Sequence, residues 1–168
     1  NFLFNTKQLV EALLKSDIHY VVVYPNNDPG AETILNVYKE NLLHHPRFVI
    51  YPSLRFEYFL TMLKNARFII GNSSAGVREA PYYGIPAINI GSRQNGRTKQ
   101  GVLKNIRHCD YDKNSILALI KETAGLPERF HPTQPFGNAG SDKKFFDVLR
   151  NQNIWQIKTQ KQFLDIDF

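Results

Sequence analysis

Phe68-Ile69-Ile70-Gly71-Asn72-Ser73-Ser74-Ala75-Gly76-Val77-Arg78-Glu79 changes character twice within a few residues. An apolar, β-prone run stops at a glycine. Small polar residues follow, and then a stretch able to form a helix. A strand that enters a helix through so small a turn is the opening of a parallel βαβ unit.

The same alternation recurs on both sides. Upstream, Leu3 to Lys15 carries Leu9, Leu13 and Leu14 at helical spacing, and Tyr20-Val21-Val22-Val23-Tyr24 follows as a strand stopped by Pro25-Asn26-Asn27-Asp28-Pro29-Gly30. A helix over Ala31–Asn41, a strand at Phe48-Val49-Ile50-Tyr51 and a helix over Phe56–Asn65 come next. Downstream, the helix after the serines runs to about Tyr83. Ala87-Ile88-Asn89-Ile90 is a fourth strand, Gly91–Gln100 a polar loop, Val102–Ile106 a short fifth strand and Lys113–Thr123 a helix. The strand runs are apolar throughout, as a parallel sheet covered on both faces requires. The expected fold class is therefore α/β: a doubly wound, Rossmann-like parallel sheet.

Gly125–Ser141 holds three of the nine prolines and three of the ten glycines and reads as a long loop. A final helical region starts at Asp142 and extends to about Phe163. This gives a domain at 1–141 and a C-terminal helical segment at 142–168, packing on the domain or reaching toward a further one.

The chain has 168 residues, 42% of them hydrophobic and 21% charged, enough for one domain with a full core. Its single cysteine, Cys109, forms no internal disulfide and suits a reducing, cytoplasmic setting; an inert, partly buried thiol is expected. No apolar run is long enough to span a membrane. The amino terminus has neither a signal-peptide pattern nor an initiator methionine, and it reads as the start of a fragment. The net charge of +6 favours anionic partners. Its scattered lysines and arginines suit a phosphate-bearing small molecule better than nucleic acid.

Ligands of doubly wound sheets bind outside the C-terminal ends of the strands. That directs attention to the loops after residues 24, 51, 71 and 90. In the serine turn, backbone N–H groups, a helix N-terminus and the Ser73 and Ser74 hydroxyls can face an anion, although one serine could serve only as an N-cap. Glu79 follows Ser74 too late to complete a capping box. In the second helical turn it could accept both hydroxyls of a ribose, or pair with Arg78 or a surface lysine. Arg93 and Arg97 in Gly91-Ser92-Arg93-Gln94-Asn95-Gly96-Arg97 could offer planar donors to a diphosphate or a base. The adjacent His44 and His45 do not face one way in most backbones, so no metal is expected, and no cofactor.

Together, Tyr24–Gly30, His44–Phe48, Gly71–Glu79, Gly84–Arg97 and Phe136-Gly137-Asn138-Ala139 resemble, in order and spacing, the hydrolysing UDP-N-acetylglucosamine 2-epimerases of sialic-acid-type pathways. The likeness covers about residues 20 to 150. Ser-Ser-Ala-Gly and Arg-Gln-Asn-Gly-Arg stand where the non-hydrolysing relatives usually have Ser-Gly-Gly and Thr-Glu-Arg-Pro-Glu. The resemblance implies the C-terminal, UDP-holding half of a two-domain GT-B fold. Ser73 and Ser74 would bind the diphosphate, Glu79 the ribose and Arg93 the nucleotide. It also implies a homo-oligomer at full length, a UDP-sugar as the partner, and no nucleic acid or membrane.

The family's reaction eliminates UDP from UDP-GlcNAc and hydrates the resulting glycal to N-acetylmannosamine. Its proton-transfer residues come from segments absent here, as does the usual first strand of the domain. No catalytic residue is therefore assigned, and the chain alone is expected to be inactive. Two other readings stand beside this one: the donor-binding domain of a GT-B glycosyltransferase, and a non-catalytic nucleotide-binding module.

Overall fold

In the computed structural model, which describes residues 1–97, 101–137 and 139–157, Asn1–Phe136 form one compact unit and the residues from Gly137 another. The first unit runs α1 (Phe2–Lys15), β1 (Tyr20–Val23), α2 (Ala31–Asn41), β2 (Phe48–Tyr51), α3 (Phe56–Asn65), β3 (Ile69–Gly71), α4 (Ala75–Arg78), a 3₁₀ turn (Pro81–Tyr83), β4 (Ala87–Ile90), β5 (Ile106–Cys109) and α5 (Lys113–Ala124). All strand pairs are parallel, so the expected α/β class holds. Hydrogen bonding divides the strands into two groups, β1-β2 and β3-β4-β5.

Period-two alternation sends successive side chains to opposite faces. On one face Phe48, Ile88 and Ile90, with Tyr20, Val22, Ile50, Phe68 and Ile70, pack under α1, α2 and α5 through Val10, Leu13, Val37, Ile116 and Ile120. This apolar cluster joins both strand groups. On the other face Ala87 and Ile106 meet Leu63 of α3, Val77 of α4, Ala80 and Ile85. Complete burial of each large aliphatic side chain contributes about 1.5–3 kcal/mol, so the helices are held mainly by these two layers.

The expectation of strands covered on both faces is met by β4, which is buried at all four positions. It is corrected for β1 and β2. Val21, Val23, Val49 and Tyr51 are exposed, and among the described residues of this unit no helix buries that part of the second face. The fifth strand is also corrected, to Ile106–Cys109 from Val102–Ile106. Its register is fixed by Ile106 opposite Ala87 and by buried Asn105, whose amide donates to the Ile85 carbonyl at 2.8 Å. The helix after the serines is a single turn and does not run unbroken to Tyr83. Pro81 has no N–H to continue it, and the chain tightens into the 3₁₀ turn.

Helix α5 begins at Asp112, whose carboxylate accepts from the Ser115 N–H at 2.8 Å. In the second unit, α6 (Ser141–Arg150) follows Gly140 and leads into a 3₁₀ turn at Gln152–Gln156, where the Trp155 indole donates to the Leu149 carbonyl. The remainder of the helical region expected to reach Phe163 lies outside the described residues, as do residues 98–100 of the polar loop.

Ile88→Ala should destabilise the protein by about 2–5 kcal/mol, whereas Val49→Thr on the exposed strand face should stay within about 0.5 kcal/mol; urea midpoints measure both. The Ser115 hydrogen bonds hold the Asp112 carboxyl below its ordinary value of 3.8. A folded-state pKa below the unfolded one stabilises the fold above the unfolded value. The deficit of Asp112→Ala at neutral pH should therefore shrink as pH falls below about 3.8 and through the folded pKa, as melts across that range would show.

Candidate functional site

The C-terminal ends of β1, β3, β4 and β5 open on one edge, and their loops carry the residues singled out in the sequence. Gly71 ends β3 with φ +141°, a backbone conformation that a side chain would strain. The chain then turns through Asn72, Ser73 and Ser74. The Ser73 hydroxyl accepts from the Ala75 N–H at 3.2 Å, and the Ser73 carbonyl accepts from the Gly76 N–H. Ser74 is the N-cap of α4, but its side chain makes no capping bond. Among the described residues, the backbone N–H groups of Ser73 and Ser74 have no partner. These two N–H groups and the Ser74 hydroxyl are donors available to an anion. A one-turn helix contributes little macrodipole, so the anion-binding capacity lies in the turn and not in the helix end.

Glu79 is the C-cap of α4, not a second-turn residue as expected. It is half-buried, and its Oε2 is buried with no hydrogen-bond partner among the described residues. The alternative, a pairing with Arg78 or a lysine, is not formed among the described residues. Instead Arg78 lies over the Phe136 ring, 6.0 Å from its centroid. A buried acceptor without a donor is costly, and it suits a ligand hydroxyl arriving from outside.

Arg93 forms an ion pair with Asp28 at 3.0 Å, joining the loop after β4 to the loop after β1. Both side chains are about half exposed, so the pair is weak and the guanidinium can turn to another partner. Arg97 closes the same loop through its backbone N–H on the Gln94 carbonyl.

Three residues complete the site without having been assigned roles from the sequence. Gln94 is only 5% exposed although it sits in a polar loop, and its Nε2 donates to the Asn72 carbonyl at 2.7 Å. Its Oε1 has no partner among the described residues. The Asn72 side chain in turn faces Tyr111, just beyond β5. Burial pushes the Tyr111 phenol pKa up, against the opposing effects of Asn72 and of Arg93. The Tyr111 ring lies so close to Gly91 that a Cβ there would sit 2.6 Å from its Cε2.

Gln94 carries no local signal of burial. Tyr111 was hidden because the sequence places the fifth strand too early, which moves its C-terminal loop away from the site. Asn89, 4% exposed, donates to the Gly91 carbonyl and approaches His108 Nδ1 at 3.1 Å, bracing the base of the loop. Cys109 is half-buried, and burial, then Asp110 and Asp112, push its thiol pKa up. That is the electrostatics of an inert thiol rather than a nucleophile.

No group of three or more His, Cys, Asp or Glu side chains with metal-binding geometry occurs among the described residues. No helix among them is long and apolar enough to cross a membrane. Two surface clefts lie away from these loops, one of about 270 Å³ at the N-terminal ends of β3 and β4 and one of about 450 Å³ along β1 and β3. The candidate site is an open shelf, with a void of about 10 Å³ beneath the serine turn.

Residues 3–150 match the profile of the family described as UDP-N-acetylglucosamine 2-epimerase. A UDP-N-acetylglucosamine 2-epimerase of Neisseria meningitidis serogroup B is 39% identical over 165 residues, 95% of this chain and 42% of that protein. A Legionella pneumophila protein named UDP-N,N'-diacetylbacillosamine 2-epimerase (hydrolyzing) is 26% identical over 86% of this chain and 37% of its own length. The chain therefore spans about two-fifths of the length of these curated relatives.

Among solved structures, Methanocaldococcus jannaschii UDP-GlcNAc 2-epimerase in complex with UDP-GlcNAc and UDP superposes with a TM-score of 0.67 at 17% identity, covering 88% of this chain and 41% of that one. The Staphylococcus aureus MnaA–UDP structure gives 0.69 at 19% identity, with 94% and 43% covered. At such identities the likeness is one of fold, a GT-B-like α/β domain.

Gly91→Ala should destabilise by about 1–3 kcal/mol through its positive φ and, in addition, its clash with Tyr111. Adding Tyr111→Ala should relieve only the clash, so the double variant should be more stable than the sum of the two single changes implies; a double-mutant cycle of denaturation midpoints measures this.

Proposed function

Because the chain belongs to the UDP-N-acetylglucosamine 2-epimerase family, we propose that the loop edge of its first unit holds the UDP portion of a nucleotide sugar. The observation that carries this reading is the half-buried Glu79, with an unpartnered carboxylate oxygen, one helical turn beyond the two serines. Ser73 and Ser74 would donate to the diphosphate and Glu79 would accept from the ribose hydroxyls. Arg93, released from Asp28, would contact the nucleotide. Bidentate guanidinium contacts suit both a diphosphate and a planar base edge. Family membership also favours an epimerase over the glycosyltransferase and non-catalytic readings.

The reaction proposed for the whole protein is the hydrolysing one. The C1–O bond to UDP breaks as a proton leaves C2, giving 2-acetamidoglucal. Water then adds across that double bond to give N-acetylmannosamine. Two observations support this branch: the Ser-Ser-Ala-Gly and Arg-Gln-Asn-Gly-Arg segments, and the hydrolysing name of the Legionella relative. Donors around the diphosphate would stabilise charge developing on the leaving group, an electrostatic contribution that strengthens as water is excluded. The groups that move the proton are proposed to belong to the remainder of a longer polypeptide. The helical segment 142–168 is proposed to pack on this domain or to reach toward that remainder, and the whole protein to assemble as a homo-oligomer.

Calorimetric titration of UDP into the chain tests the site. Glu79→Ala and Ser74→Ala should each weaken binding about tenfold or more, the loss expected for a hydrogen bond to a charged group. Equal affinity in wild type and both variants would refute the assignment. Incubated with UDP-GlcNAc, the chain alone should release no UDP in proportion to its concentration; release that scales with it would overturn the placement of the proton-transfer groups elsewhere.

A further inference from the structure

Gln94 is a buried amide in a loop that is otherwise open to water. It is 5% exposed between the exposed Arg93 and Asn95. Among the described residues its side chain makes one hydrogen bond, from Nε2 to the Asn72 carbonyl at 2.7 Å. Taking an amide out of water is unfavourable unless hydrogen bonds replace those it loses. A position that needed only filling would be better served by leucine or methionine. The loop is braced to hold the amide where it is. The Gly91 N–H donates to the Cys109 carbonyl at 2.8 Å, and Asn89 Nδ2 donates to the Gly91 carbonyl at 3.1 Å. The Arg97 N–H closes the turn on the Gln94 carbonyl at 3.3 Å.

What this bond fixes is a peptide plane. The peptide between Asn72 and Ser73 is trans, so its N–H points opposite to its C=O. Gln94 holds the carbonyl toward the buried side. The Ser73 N–H is therefore turned outward, where Ser73 is exposed and where that N–H has no partner among the described residues. Both flanks of the peptide are fixed by other contacts. Gly71 is in register with Asn89 of β4, and the Ser73 hydroxyl accepts from the Ala75 N–H at 3.2 Å. Between those anchors a planar peptide can still rotate as a unit, through opposite changes in the soft torsions on either side. Such a rotation would point the Asn72 carbonyl out of the turn, and an anion would meet an acceptor in place of a donor.

We propose that Gln94 is a positioning residue, which aims the Ser73 N–H at the diphosphate by holding the Asn72 carbonyl and does not itself touch the ligand. The inference rests on the nucleotide reading of this shelf. A carbonyl that accepts a hydrogen bond polarises its peptide, and the N–H on the far side becomes a stronger donor. A donor already aimed also needs no reorientation as negative charge grows on a departing UDP.

Amide-detected NMR during titration of UDP into the chain tests this, with Gln94→Met and Gln94→Glu beside the wild type. In the wild type the Ser73 amide proton should move downfield as it bonds a phosphate oxygen. Gln94→Met keeps an unbranched side chain of similar length and has no donor. It should lose most of that shift and bind UDP about three- to tenfold more weakly, the worth of one hydrogen bond. The Ile88 amide in β4 reports that the fold is intact. Gln94→Glu supplies a conditional donor. Protonated, its carboxyl O–H takes the place of Nε2; ionised, it repels the carbonyl. Its UDP affinity, relative to wild type at the same pH, should be low at pH 8. It should recover as pH falls through the carboxyl pKa, which burial pushes upward, and the Ser73 shift should recover with it. Asp28, Arg93, Tyr111 and the phosphates of UDP are common to both proteins and cancel in the ratio.

A wild-type Ser73 shift in UDP-bound Gln94→Met would overturn the positioning role. So would an affinity lowered equally in both variants at every pH, because Gln94 would then be only a brace for the loop. If Gln94→Met does not fold, Gln94→Glu compared with itself across pH decides the question. Affinity that falls in Ser74→Ala but not in Gln94→Met sinks this inference and leaves the nucleotide reading standing. A wild-type chain that binds no UDP sinks both.

Discussion

Ile88 and Ile90 press against α1 and α5 on one side of β4, while Ala87 and Asn89, their neighbours along the strand, are buried on the other. That double burial is the constraint on which the rest of the structure depends. It fixes β3 and β5 to either side in parallel register and brings the C-terminal ends of all three strands to one edge. A one-residue slip would drive the isoleucines into the space that Ala87 and Asn89 fill, so β4 also sets where Gly91 leaves the sheet. From there Arg93 is carried toward Asp28 and Gln94 toward Asn72.

The site built on that edge is held together by polar contacts between loops rather than by a cavity. Gln94 bonds the loop after β4 to the turn after β3, Tyr111 beyond β5 packs against Gly91, and the Asp28–Arg93 pair reaches the loop after β1. The interior contacts are shielded, whereas the Asp28–Arg93 pair is open to water. This division gives a stiff floor and a movable arginine, which suits the polyanionic ligand proposed for it. The buried acceptors left over, on Glu79 and Gln94, belong to the same region. Unsatisfied groups concentrate where a protein keeps binding capacity in reserve.

The exposed valines of β1 and β2 and the gap between the two strand groups have a common origin. The first-face cluster is continuous across the gap because Tyr20 and Phe68 close it from α1's side. On the second face α3 packs against β3 and β4, whereas among the described residues of this unit no helix buries β1 and β2, and Val21, Val23 and Val49 remain open. Helix packing holds the strand groups in one unit even where backbone hydrogen bonding does not.

By itself the sequence determined the elements whose apolar residues follow one period: the three upstream helices, β1, β2, β4 and α5 stand within a residue or two of where the pattern puts them. It also carried the family, because the serine turn and the arginine loop are contiguous motifs. Tertiary structure alone decided the rest. Strand β5 is half polar, and its position follows from pairing with Ala87 and from Asn105 reaching Ile85, contacts distant along the chain. The burial of Gln94 and the approach of Tyr111 to Gly91 likewise depend on loops separated in sequence and joined by the sheet. Periodicity reports which face of an element is apolar; it carries no information about which distant element will cover that face, and the site is built from those meetings.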